Sequence, residues 1–189
     1  MSSFRSFSLV VFTVLCWSTL VTPVFAPAAI LRDAAGHACP MNLANRADGV
    51  LRAGQLITVV APSGRSTYAA LNLWARKGAC FHHKAGPYPA RVGYNGLSAH
   101  HHEGDGTTPI GVFSIGSVMY GTDPNPGVSY RYHRLVCGDW WDEDPSTAHY
   151  NRFVHLPCGS SPPFGGASEP LWLEAPAYDY LAVIDYNTQ

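Results

Sequence analysis

Glycine and proline punctuate this chain so densely that long helices have little room. The 189 residues hold 18 Gly and 15 Pro, and 12% of them are aromatic. Glycine and proline both weaken helix interiors, whereas aromatic and β-branched residues suit a pleated surface. The apolar stretches between the breaks are short. Residues 55–61 (Gln-Leu-Ile-Thr-Val-Val-Ala) form a β-branched run and predict a strand. Residues 62–65 are a turn signal, and residues 66–75 alternate as the partner strand of a hairpin. Residues 91–97 predict another short strand and turn, and residues 108–115 a strand entered through Pro109. Residues 171–174 and 180–186 predict two more, while residues 31–49 read as a loop or short helix. No amphipathic helix or repeat stands out, so the pattern predicts a mainly β sandwich or barrel-like sheet.

The length suits one domain plus a small extension. Charged residues make up only 13% and the formal net charge is -1. That balance excludes a disordered tail or a coiled coil and gives no electrostatic reason to expect nucleic acid as a partner. The N-terminus reads as an export signal. Arg5 is followed by the apolar run 9–17, broken only by Thr13, and then by Val24-Phe25-Ala26 at the positions of a cleavage site. The run is too short for a membrane anchor, and Pro23 interrupts its far end. The expected organisation is a signal peptide at 1–26, an extension at 27–54 and a domain at 55–189, with no membrane attachment after cleavage.

Cys16 leaves with the signal. Cys39, Cys80, Cys137 and Cys158 remain, an even number in a chain bound for an oxidising compartment. Four cysteines allow three pairings. The two local ones, Cys39–Cys80 and Cys137–Cys158, close the more modest loops and are favoured. A bridge across about 20 residues contributes roughly 3 kcal/mol.

Two stretches concentrate residues with chemical potential. Residues 103–113 place Gly104 and Gly106 around Asp105, followed by Thr108, Pro109, Gly111 and Phe113. Residues 137–154 gather acids, Trp140, Trp141, His149, Tyr150, Asn151 and Arg152. Together with residues 90–97, 120–127 and 178–187, these blocks resemble the bacterial L,D-transpeptidase catalytic domain, the YkuD-like family, from about Gln55 onward. The resemblance implies a mostly β fold outside the membrane. It also implies an enzyme that cross-links peptidoglycan, or joins proteins to it, through a cysteine acyl-enzyme, with stem peptides as partners and no cofactor. In that family the nucleophile lies in a Ser-x-Gly-Cys or Ala-Gly-Cys motif preceded by a His. Both follow the strand that looks like residues 181–186, and no position of this sequence matches either. No catalytic residue is therefore carried over, and no transpeptidase turnover is expected. The domain is read as incomplete at its C-terminus, with an exposed apolar edge at 180–186 and poor solubility. The competing readings are a non-catalytic cell-wall-binding protein and a gene fragment without function.

Residue by residue, the bland reading competes with the chemical one. Gly104, Asp105, Gly106, Thr108, Pro109, Gly111 and Phe113 are read as structural residues of the family motif. His149, Tyr150, Asn151 and Arg152 either line a substrate cleft or lock their loop. Cys158, three residues after His155, is a disulfide partner before it is a nucleophile. Residues 100–102 (His-His-His) and the acids Asp139, Asp142, Glu143 and Asp144 lack the spacing of a metal site and read as solvated loops. Trp140 and Trp141 either stack on sugar rings or pack in the core.

Overall fold

The computed structural model describes residues 7–12, 32, 36–47, 49–50, 52–166 and 168–187. Arg5, Cys16 and the cleavage site at 24–26 lie outside the described residues. Strands dominate: β1 (Phe7–Phe12), β2 (Gln55–Val60), β3 (Tyr68–Lys77), β4 (Cys80–Arg91), β5 (Leu97–Ser98) and β6 (Thr108–Pro109) come first. They are followed by β7 (Gly111–Gly121), β8 (Arg131–Arg134), β9 (Asp139–Asp142), β10 (Arg152–His155), β11 (Glu169–Pro170) and β12 (Leu181–Ile184). The helix α1 spans Leu43–Arg46. The fold is mainly β. Among the described residues no helix is long and apolar enough to cross a membrane. The chain divides into two compact units, one within Arg5–Ser114 and one within Ile115–Gln189.

In the first unit β2 is the interior strand. Leu56 and Thr58 have almost no exposed surface and Val59 little. The β2 side chains feed two core clusters. Leu56 joins Ala44, Ala47, Val50, Ala53 and Phe81, with Trp74 packed against them. Val59 joins Ala61 and Leu97, with Ile57, Leu71 and Ile110 alongside. A strand buried on both faces has to be apolar on both, which the Leu-Ile-Thr-Val-Val run provides. Its one polar member, Thr58, accepts a hydrogen bond from Trp74 Nε1 at 2.9 Å. β2 pairs antiparallel with β3 and parallel with β1, while β3 pairs antiparallel with β4.

Residues 39–54 pack against this sheet. Asn42 caps α1 by accepting from the Asn45 amide, and Asn45 Oδ1 accepts the Phe81 amide at 2.7 Å. Arg76 donates to the carbonyls of Ala53 and Val50 at 2.7 Å each, and its guanidinium lies 4.3 Å from the centre of the Phe81 ring. The Cys39–Cys80 disulfide closes the arrangement.

In the second unit residues 115–121 of β7 pair with β12 and β8. A separate three-stranded sheet runs in the order β10–β9–β11. The β9–β10 hairpin pairs Arg152 with Asp142 and His155 with Asp139, and the Cys137–Cys158 disulfide lies just outside its base. Gly138 adopts a φ of 97°, and a Cβ there would collide with the carbonyl of Leu156. Among the described residues β12 has a strand on one edge only.

Several elements differ from the pattern read in the sequence. β4 is a twelve-residue strand despite Pro87 and Pro89. Among the described residues it pairs only with β3 and so tolerates residues without an amide donor. Of the short strand and turn predicted at 91–97, the turn is present, with Gly96 at a φ of 84°, and only Arg91 and Leu97 belong to strands. The predicted strand at 171–174 is a 3₁₀ turn over Leu171–Leu173, anchored by the buried Leu171. β8, β9 and β10 are too short and too polar for alternation to mark them. Both disulfides are the local ones.

The Cys39–Cys80 bridge spans 41 residues. A loop of that length corresponds to about 4 kcal/mol in the chain-entropy account. Replacing both cysteines by serine is expected to lower unfolding stability by up to that amount in a urea titration, with β2 and β3 amides losing protection first.

Candidate functional site

The β9–β10 hairpin presents alternate side chains to one side: Asp139 and Trp141 from β9, Phe153 and His155 from β10. Asp139 has no exposed surface. Its carboxylate accepts from His133 Nε2 at 2.7 Å, from His155 Nδ1 at 2.6 Å and from the Val136 amide at 2.8 Å. Burial pushes its pKa up. The Val136 amide and the two imidazoles outweigh that and hold it below the usual carboxylate value. An ionised carboxylate only accepts, so both imidazoles must present N–H to it. His133 is then protonated on Nε2 and His155 on Nδ1. Both side chains are about half exposed. One buried acid thus orients two imidazoles, as an acid orients the base in hydrolytic triads.

His133 continues into an aromatic wall. Its ring meets Phe153 edge-on at 5.1 Å and Tyr120 at 6.0 Å, while Tyr120 and Phe153 stack at 5.0 Å. Tyr120, Phe153 and Trp141 line an open pocket of about 300 Å³. Arg152 and Asp185 also border it, so a cation and an anion share one rim. Asn151 sits at the corner in a left-handed conformation with φ 60°. Its side chain accepts from Trp141 Nε1 at 3.3 Å and donates to the Asn187 carbonyl at 2.9 Å. The loop before it is pinned by Asp142, fully buried, which accepts from the Asp144 amide and from the Thr147 hydroxyl at 2.6 Å.

Of the four residues read as cleft or loop lock, the structure brings Asn151 and Arg152 to the pocket. Tyr150 Oη receives Asn187 Nδ2 at 3.5 Å, and exposed His149 is held through its amide to Thr147 Oγ1. Neither borders the pocket. Trp140 packs edge-on against Phe164 and Trp172, whereas Trp141 faces the pocket. The motif around Asp105 belongs to the first unit and builds a turn. Asp105 accepts from the Thr107 amide and hydroxyl and from the His102 amide, and these bonds hold it well below the usual carboxylate range against the opposing pull of burial. Gly106, at φ 67°, lies against the Tyr94 ring, and Thr108 Oγ1 accepts the Gly93 amide at 2.8 Å. Thr108 and Pro109 form β6; Gly111 and Phe113 continue into β7. Gly104, exposed, takes a φ of 76° in the same turn.

The sequence reading missed His133, Asp139 and His155 as a group, and Tyr120 and Asp185 beside the pocket. The group depends on strand register, which the sequence pattern does not carry: pairing of Arg152 with Asp142 places His155 opposite Asp139. The four bridged cysteines carry no free thiol. Among the described residues no group of three or more His, Cys, Asp or Glu is arranged to hold a metal ion. Compared with known proteins, the chain matches no protein-family model, no curated protein and no solved structure.

Asp139→Asn keeps the shape but sets an amide donor against at least one of the three N–H donors. Stability at pH 7 is expected to fall by about 1–3 kcal/mol. A carboxylate with a lowered folded pKa contributes above its unfolded value, near 4, and loses that contribution as pH falls toward the folded one. The loss of stability below about pH 4 should therefore be shallower in the variant than in the native chain. Urea titrations at pH 7 and pH 3 check both effects.

Proposed function

We propose that this chain is an exported, L,D-transpeptidase-like domain that binds peptidoglycan stem peptides in the pocket of its second unit without carrying out acyl transfer. The observation that carries this reading is the pocket itself. Arg152 and Asp185 border an aromatic surface made by Tyr120, Trp141 and Phe153. A short peptide bearing both amino and carboxylate groups complements that pair: guanidinium with carboxylate, carboxylate with ammonium. The aromatic rings cover its apolar stem. Two disulfides fit a chain that matures outside the reducing cytoplasm.

Acyl transfer through cysteine needs a thiolate. In the chain beyond residue 26 every cysteine is bridged. His133 and His155 supply oriented imidazoles but have no thiol to activate. What remains is recognition, with the hairpin and its buried carboxylate holding the pocket wall.

Sedimentation with purified peptidoglycan tests the reading. Saturable co-sedimentation is expected, and Arg152→Ala should weaken it about tenfold, the scale of one lost charge-assisted hydrogen bond. Failure to co-sediment contradicts it. Incubation with a carbapenem should leave the intact mass unchanged, and a stable adduct would show a reactive nucleophile and overturn the non-catalytic part.

A further inference from the structure

The interior strand β2 needs hydrogen-bonding neighbours on both edges, since its core residues are buried on both faces. β3 supplies one edge along all six β2 residues. The other edge pairs in parallel with β1, from Phe7 opposite Gln55 to Phe12 opposite Val60. The far edge of β1 pairs antiparallel with β7, from Ser8 opposite Ser114 to Val11 opposite Gly111. β1 therefore fills a slot one strand wide between β2 and β7. It comes from the stretch read as an export leader, and among the described residues no other strand borders the slot.

We propose that in the processed chain this slot is a strand-acceptor site. It takes an extended, apolar six-residue segment of a partner polypeptide, running parallel to β2 and antiparallel to β7. The proposal rests on the reading that residues 1–26 are removed on export. Removal leaves two rows of backbone donors and acceptors facing each other across a gap that one strand spans. The ladders on both sides fix the direction of the incoming segment. Its composition follows from its neighbour: β2 carries no charge and buries Leu56 on one face and Val59 on the other, so a strand beside it is expected to be uncharged and largely apolar on both faces too. The segment seated there, Phe-Ser-Leu-Val-Val-Phe, has that composition. A charged or polar peptide would place unpaired groups against the core.

The test separates the two readings. Intact mass of the exported product shows whether residues 1–26 are gone. The processed product is then titrated with a synthetic peptide of the 7–12 sequence flanked by lysines, and with the same peptide carrying Val10→Pro. Amide exchange is followed at residues 55–60 and 111–114. While the β2 amides that face β3 stay protected, those facing the slot should exchange freely without peptide. Saturating peptide should slow them by about a hundredfold or more, and proline should weaken binding at least about tenfold because it removes a donor inside a central strand. In the uncut full-length chain, Val10→Pro should speed exchange at the same two segments and leave residues 139–142 unchanged, which keeps the test open if the processed chain folds poorly. Three results would overturn the proposal: full protection without peptide, a dimer joined through β2, or equal binding of the two peptides. Retention of residues 1–26 overturns the export reading and the proposal with it, because β1 then keeps the slot filled.

Discussion

A carboxylate without exposed surface holds the candidate site in place. Asp139 gathers the amide of Val136 and the imidazoles of His133 and His155, which come from the turn after β8, from β8 and from β10. Burying an ionised carboxylate is costly unless its lone pairs are satisfied, and here three donors satisfy it. That requirement fixes the imidazole tautomers, the relation of β8 to the hairpin and the His133 edge that meets the Tyr120–Phe153 stack. The Cys137–Cys158 bridge closes the same hairpin from outside. Pocket shape and imidazole orientation thus share one cause.

The two disulfides bear on function in opposite ways. They stabilise the fold, and they bind up the sulfur that cysteine chemistry needs. The imidazoles at Asp139 are oriented as in acid–base sites, yet the second unit offers them no thiol. On the proposed reading, aromatic walls bordered by one cation and one anion recognise a zwitterionic peptide without any covalent step.

The mainly β class, β2, β7, β12 and both disulfide pairs were legible because they rest on local signals: β-branched runs, a strand-opening proline and loop lengths. β4 was hidden by Pro87 and Pro89, which an edge strand accepts and an interior strand does not. Residues 171–174 look strand-like by composition, but burial of Leu171 winds them into a 3₁₀ turn. Asn151 and Arg152 were legible as a dense cluster of polar and aromatic residues. Asp139 was not, because its role depends on register: only the pairing of Asp142 with Arg152 brings His155 across from it. Single-residue patterns carry no register, so buried polar networks that cross strands stay invisible until the pairing is known.

The central claim is that the second unit binds a zwitterionic stem peptide in the pocket walled by the Asp139-held hairpin. The most direct measurement is a nuclear magnetic resonance titration of the isotopically labelled protein with a synthetic tetrapeptide stem. The account predicts saturable shift changes at residues 116–120, 141, 151–153 and 183–185, with the His133 and His155 rings keeping their tautomers. Shifts confined to other residues, or none at millimolar peptide, would contradict it.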